Sequence, residues 1–238
     1  MCAMNPRLLR PKASGFSPNQ ISSLAMWLDA NDSASLTLVS SAVSEWKDKA
    51  ASKIFAQTTA NNRPTLTTIN GKTALVFDGS NDTLSCVDPF TSYPLSMFFV
   101  QRIVATSNFG MTYTIGSSND FNLRQNGTSG TLQIQMTTTA AGYASTTLST
   151  TAAQLISIVY ESTAANSVCY LDGTALTPTT GSFSQPTLSG THWIGSRAGG
   201  FFLNGYIGEI IVYSKTVSAT ERASITKYLG KKWGITVA

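Results

Sequence analysis

The chain has 238 residues, 16 basic against 12 acidic side chains, a single histidine and a net charge of +4. Charged residues make up 12% of it, about half the usual share, and Ser, Thr, Gly and Asn fill the polar positions instead. The basic excess is too small and scattered for a nucleic-acid platform, which needs a continuous stripe with interleaved aromatics, and no apolar run reaches the ~18 residues of a membrane span.

Residues 1–16 read as an extended arm. Pro6, Pro11 and Pro18 break helix, and each biases the residue before it to extended backbone. Arg7, Arg10 and Lys12 precede the first acidic residue, Asp29. Leu8, Leu9 and Phe16 are too sparse to fold alone, so the arm is expected to pack on its own sandwich or on a neighbouring subunit. Arg7, Leu8, Leu9, Arg10, Lys12 and Phe16 are the expected contacts. Residues 17–238 read as one domain, long enough to fold without disulfides or metal. Cys2, Cys86 and Cys169 are odd in number and scattered, which fits neither a disulfide framework nor a zinc site. They suit a chain made in a reducing cytoplasm. Basic residues near the start lack a following apolar segment, so no export signal is expected.

Most of the folded part reads as strand. Ser17 caps a predicted helical turn running through Leu24, with Pro18 first in it. Strands follow at 25–30, 73–77, 95–104, 110–115, 121–124, 132–136, 154–161, 167–171 and 188–195. Asn70-Gly71 and Asp172-Gly173 mark hairpin turns. Residues 140–151, small and polar, read as a loop. Tyr206 to Tyr213 is a buried strand rich in β-branched residues. Ser218 and Glu221 form a capping box. Behind it, Ala223, Ile225, Tyr228, Leu229 and Trp233 make an apolar helix stripe. Gly230 and Gly234 are candidate stops, and Lys227, Lys231 and Lys232 suit the negative end of the helix dipole.

The closing stretch, GYIGEIIVYSKTVSATERASITKYLGKKWGI, resembles the C-terminal signature of concanavalin A-like jelly rolls of the laminin-G type. LAMWLDANDSASL, VSEWKDKA and RPTLTTINGKTALVFDGSNDTLS resemble three further landmarks of that family, in family order. The resemblance implies an all-β, two-sheet antiparallel jelly-roll sandwich with an N-terminal arm and a short C-terminal helix. It also implies that Trp27, Trp46 and Trp233 belong to the core, and that Glu209 is an acid without catalytic duty.

The family includes glycoside hydrolases, in which paired carboxylates face one cleft. The glutamates here are Glu45, Glu161, Glu209 and Glu221, and none has a second acid two residues on. His192 lacks a nucleophile motif around it. No catalytic residue is therefore assigned, and a non-enzyme is expected. Asp78, Asn81 and Asp82, or Asp29, Asn31 and Asp32, are oxygen donors from which Ca2+ is a candidate ligand; the same residues are ordinary in turns. The loop around Asp78, Asn81 and Asp82 and the loop around Arg197, Phe201 and Phe202 are the candidate ligand-binding loops. If 201 and 202 lie on a strand, one aromatic must be exposed, covered by a loop, or in a partner interface.

The family resemblance, taken with the missing export signal, points to a non-enzymatic structural protein of a bacteriophage virion, assembled in the host cytoplasm. It would decorate or cement a capsid, or belong to a tail. Its expected partners are the major capsid protein, other virion proteins, and copies of itself, with a trimer among the assemblies open to it. The alternative is a carbohydrate-binding adhesion module that attaches to host surface glycans.

Overall fold

A computed structural model describes residues 15–104, 109–116, 121–126, 130–136, 142–161, 163, 166–177 and 187–238. The expected arm contacts of Arg7, Leu8, Leu9, Arg10 and Lys12 lie outside them, and so does Cys2.

The strands, in chain order, are β1 (Leu24–Asp29), β2 (Leu36–Val39), β3 (Ala42–Lys47), β4 (Ile54–Ala56), β5 (Thr65–Ile69), β6 (Lys72–Asp78), β7 (Leu84–Val87), β8 (Leu95–Ile103) and β9 (Met111–Ile115). There follow β10 (Phe121–Asn126), β11 (Thr131–Met136), β12 (Gly142–Thr147), β13 (Gln154–Tyr160), β14 (Val168–Leu171), β15 (Thr174–Ala175), β16 (Thr191–Ile194) and β17 (Asn204–Tyr213), and then helix α1 (Ala219–Trp233). All described pairings are antiparallel. In one layer β17 pairs with β1, β6 and β8, and β8 pairs with β13, which pairs with β14. In the other, β4, β7, β16, β9, β10, β11 and β12 pair in that order. This is the expected two-layer sandwich, and α1 packs on the outside of the β17 layer.

Two apolar clusters follow from strand alternation. The first lies between the layers and joins Met97, Phe99, Ile156, Ile207, Ile210 and Val212 to Leu84, Tyr113, Leu123 and Ile194. The second lies under α1 and joins Phe98, Val100, Leu155, Ile211 and Tyr213 to Ile225, Leu229 and Trp233. A bulge in β17 sets the phase of both. The register with β8 shifts between Ile207 and Glu209, so Ile207 and Ile210 both face the inter-sheet core while Glu209 turns toward the helix. Gly208 fills the bulge. A Cβ there would sit 2.6 Å from the Trp233 ring, so the close approach of strand and helix requires glycine.

The helix has the predicted ends. The Glu221 amide donates to Ser218 Oγ at 3.2 Å, and the Ser218 amide donates to Glu221 Oε2 at 2.8 Å. Gly234 closes α1 with φ +64°. Gly230 lies within the helix instead of ending it, and the chain after α1 packs on it: a Cβ would be 2.9 Å from the Ile235 carbonyl oxygen.

Three expectations are corrected. The predicted turn through Leu24 stops at Gln20, because Ile21 turns extended and is buried in the cluster beneath α1. Residues 142–147, read as loop, form β12 on the edge of β11; main-chain pairing suffices there without an apolar pattern, which Gly-Tyr-Ala-Ser-Thr-Thr does not show. Trp27 is only half-buried, while Trp46 and Trp233 are fully buried.

Candidate functional site

Charged residues that the sequence singled out gather in two places. The first is a knot beneath α1. Asp29 on β1 lies directly opposite Glu209 on β17. Glu209 is fully buried. Its Oε1 accepts from Trp27 Nε1 at 2.7 Å and from the Tyr228 hydroxyl at 3.1 Å. Its Oε2 accepts from Trp233 Nε1 at 2.7 Å and pairs with Lys232 Nζ at 2.7 Å. The Lys232 ammonium also reaches Asp29 Oδ1 at 2.7 Å. Lys49 lies over the Trp27 ring at 4.1 Å and bridges Asp32 at 2.6 Å and Asp29 at 3.4 Å. Burial pushes the Glu209 carboxyl up, while the Lys232 ammonium opposes that shift. Hydrogen bonding to Lys49 holds the Asp32 carboxyl down.

This knot answers two questions raised by the sequence. Glu209 has its oxygens filled by four donors and no path to solvent, so it is a structural acid. Asp29, Asn31 and Asp32 are likewise occupied. Two ammonium groups hold the carboxylates, and Asn31 Oδ1 accepts from the Thr73 amide at 3.1 Å. They do not fit a cation. Lys232, read as a dipole partner, is instead the counter-charge of two buried acids.

His192 is also structural. It is fully buried, with Nδ1 at 2.8 Å from the Tyr113 hydroxyl and Nε2 at 2.8 Å from the Leu188 carbonyl. The neutral ring that donates from Nε2 and accepts at Nδ1 satisfies both contacts. Burial lowers its pKa to about 4. Cys86 and Cys169 are buried free thiols in the inter-sheet core.

The second place is a rim at the ends of β6, β10, β16 and β17. Asp78, Asn81 and Asp82 lie in the turn after β6. Asp78 Oδ1 accepts from the Ser80 and Asn81 amides at 2.8 and 3.2 Å, and Asp82 Oδ2 accepts from the Asp78 amide at 3.0 Å. These bonds are those of a self-capped turn. Burial, and then the neighbouring Asp78 charge, raise the Asp82 pKa to about 6. Asn81 Oδ1 is buried with no hydrogen-bond partner among the described residues. The loop offers few oxygens beyond those its own turn uses, short of the six to eight that Ca2+ takes.

The Arg197 loop packs beside this turn. Thr83 Oγ1 and Ser196 Oγ are 2.6 Å apart, and a Cβ on Gly79 would meet Asn204 at 2.8 Å. Arg197 and Gly200 exchange two main-chain hydrogen bonds, at 2.8 and 2.9 Å. The turn between them holds Ala198 at φ +47° and Gly199 at φ +80°. Phe201 follows at φ +55°. Two non-glycine residues in the left-handed region within four positions store backbone strain. The result is that Phe201 is thrown outward, 45% exposed. Phe202 is half-buried, and Leu203 is buried. Residues 201 and 202 are thus loop, not strand, so strand alternation does not apply, and Phe201 is exposed because of the turn that precedes it.

The sequence reading missed the other half of this surface. Phe109, 38% exposed, meets Phe201 edge-to-face, with centroids 6.3 Å apart. The Arg197 guanidinium lies 4.3 Å from the Phe201 ring and that of Arg124 lies 4.9 Å from the Phe109 ring. Each ring of the pair thus has one guanidinium against it. Burial, and then the nearby Arg197 charge, lower the Arg124 pKa. A lone Phe between Asn108 and Gly110 was the available signal for Phe109; Arg124 carried none, since it sits in an alternating strand. The rim therefore joins the Asp78 loop to Arg197, Phe201 and Phe202. Phe16 lies elsewhere, edge-on to Tyr228 at 5.8 Å.

No family model matches this chain, and no curated protein matches it in sequence. Solved structures do match in fold. Domain 4 of AbnA, a GH43 extracellular arabinanase from Geobacillus stearothermophilus solved with arabinotriose, aligns with a TM-score of 0.63 at 10% identity, covering 86% of this chain and 97% of that one. The sialidase of Trypanosoma rangeli aligns with a TM-score of 0.62 at 12% identity, over 89% of this chain but only 33% of the sialidase. The binding domain of Paraclostridial Mosquitocidal Protein 1 aligns with a TM-score of 0.61 at 11% identity, covering 87% of this chain and 52% of that domain. At these identities the likeness is one of fold: an all-β sandwich of jelly-roll type.

Proposed function

We propose that this chain is a non-enzymatic carbohydrate-binding module that engages a glycan at the rim formed by Phe109, Phe201, Arg124 and Arg197. The observation that carries the reading is the exposed edge-to-face aromatic pair flanked by two guanidinium groups. Ring faces stack on the C–H faces of sugars, and the strained loop holds Phe201 in place before a ligand arrives, which lowers the ordering cost of binding. Guanidinium groups add charged hydrogen-bond donors for ring oxygens and carboxylates. The non-enzymatic part rests on Glu209, His192 and Asp29, which are buried and fully partnered. The arabinotriose complex of the arabinanase domain is consistent with a sandwich of this kind serving sugar recognition. An array of bacterial-surface and plant-wall glycans, probed with the full chain and with Phe201→Ala, tests the proposal. Binding to a defined glycan group that drops at least tenfold in the variant is expected; no binding anywhere on the array overturns it.

A second reading keeps the structural virion role, with a laminin-G-type jelly roll that decorates a capsid or tail. It is favoured by β2, an edge strand paired only with β3 among the described residues, on which Leu38 and Val39 are 47% and 46% exposed. An unprotected apolar edge suits assembly with another chain. Normal incorporation into particles by a chain lacking residues 1–16 and carrying Leu38→Lys would contradict this reading.

A further inference from the structure

A cleft of about 570 Å³ opens on the side of α1, away from the rim, lined by Gly15, Phe16, Lys72, Ser224, Lys227, Tyr228, Lys231 and Lys232. Residues 224, 227, 228, 231 and 232 share one helix face by their spacing of three and four. Lys72 joins them from the β5–β6 hairpin, because Asn70 Nδ2 donates to the Trp233 carbonyl at 2.8 Å and pins that hairpin to the end of α1. The floor is aromatic, with Phe16 edge-on to Tyr228. Of the four ammonium groups, Lys232 is bound to Asp29 and Glu209. Lys72, Lys227 and Lys231 are exposed and make no ion pair among the described residues.

Dipole complementarity accounts for lysines in the last turn of a helix. It does not account for Lys72, which is on a different element, or for a lining that carries no acidic side chain among the described residues. Lys72, Lys227 and Lys231 give this concave surface a positive charge that an entering anion would complement. The chain's own arm does not supply one, since residues 1–14 carry Arg7, Arg10 and Lys12 and no acid.

We infer that this cleft binds a tetrahedral oxyanion carried on a sugar-sized body, that is, a phosphorylated saccharide. Lysine is a compact point charge that suits a phosphate approached from several directions, whereas planar carboxylates favour the arginine fork, and the cations that line the cleft among the described residues are all lysines. The Phe16–Tyr228 floor is suited to the apolar face of a ring. The site is separate from the rim, and its ligand does not depend on the rim binding a glycan.

The test is calorimetric titration of the full chain at low salt with three probes: fructose 1,6-bisphosphate, inorganic phosphate and triglutamate. The bisphosphate is expected to bind at least tenfold tighter than either of the others. Lys227→Gln combined with Lys231→Gln is expected to weaken it at least tenfold, with melting temperature and array binding at the rim unchanged. Lys72→Gln, on the other element, serves as the second variant and is expected to weaken it severalfold. The inference is overturned if the bisphosphate does not bind, if its binding survives all three substitutions, if inorganic phosphate binds equally well, or if triglutamate binds tighter. Loss of glycan binding at the rim alone bears only on the proposed function.

Discussion

The knot beneath α1 and the rim around Phe201 use the same components, cationic side chains beside aromatic rings, for opposite ends. In the knot, Trp27, Trp233, Tyr228 and Lys232 point their polar atoms inward at Glu209 and leave no site for a ligand. At the rim, Phe109 and Phe201 keep their rings exposed and the guanidinium groups of Arg124 and Arg197 lie against them. Burial and complete hydrogen bonding turn a charged cluster into structure. Exposure and strain give a similar cluster the outward surface on which the proposed glycan binding rests.

The comparison breaks most sharply at Glu209. Glu209→Ala strips four donors of their shared acceptor, including the ammonium of a half-buried lysine, and a cost of about 3–5 kcal/mol is expected. Chemical denaturation checks it; a loss under about 1 kcal/mol would remove the knot from the account of stability. The same substitution leaves rim binding unchanged in whatever fraction stays folded.

Acid titration sharpens it next. His192 has its pKa lowered from 6.5 to about 4, so its neutral form contributes stability that is complete above pH 6.5 and lost as pH falls toward 4. The shift is worth about 3 kcal/mol at most. Asp82 has its pKa raised from 3.8 to about 6. Its protonated form contributes stability that is complete below pH 3.8 and lost as pH rises through 6. The two slopes oppose each other across the same interval. His192→Gln is expected to leave a chain whose stability rises on acidification from pH 6.5 to 4 relative to wild type. Asp82→Asn is expected to do the reverse, by a smaller amount because its loop is nearer to solvent. Urea midpoints measured at each pH read both; parallel curves for wild type and variants would contradict them.

At the rim, stability and binding separate. Phe201→Ala removes an exposed ring and is expected to shift the melting temperature by no more than a degree or two while weakening glycan binding about tenfold, or about 1.4 kcal/mol. A large fall in melting temperature would make Phe201 a packing residue instead.

The structural acid and tryptophans of the knot were legible in the sequence, and so was half of the rim. The motif residues Trp27, Asp29, Asp48, Glu209 and Trp233 lie far apart in the chain, yet they meet. Asp48, for example, accepts from the Trp27 amide at 2.6 Å and from the Ala51 amide at 2.6 Å. The family resemblance marked Trp27, Trp233 and Glu209 as structural before any contact was known, whereas Asp29 read as a candidate Ca2+ donor and Asp48 was given no role. What spacing did not reveal was that Lys232 is the counter-charge of Asp29 and Glu209, because a lysine in the last turn of a helix has a sufficient local reason to be there. On the rim, Arg197 and Phe201 stood out as a loop with adjacent aromatics. Phe109 and Arg124 join them only through the pairing of β9 with β10 and the return of the chain after β16, which are long-range consequences of the sandwich. Strand β12 was missed for a related reason: its partner β11 supplies the hydrogen bonds that its own side chains do not announce.

The central claim is that the Phe109–Phe201 pair is a sugar-binding surface. It is tested most directly by the dissociation constant of the full chain for the tightest glycan on the array, compared with that of a Phe109→Ala/Phe201→Ala double variant of unchanged melting temperature. The account predicts a loss of at least thirtyfold in the double variant, greater than in either single variant. An unchanged dissociation constant would place the glycan elsewhere on the sandwich and contradict it.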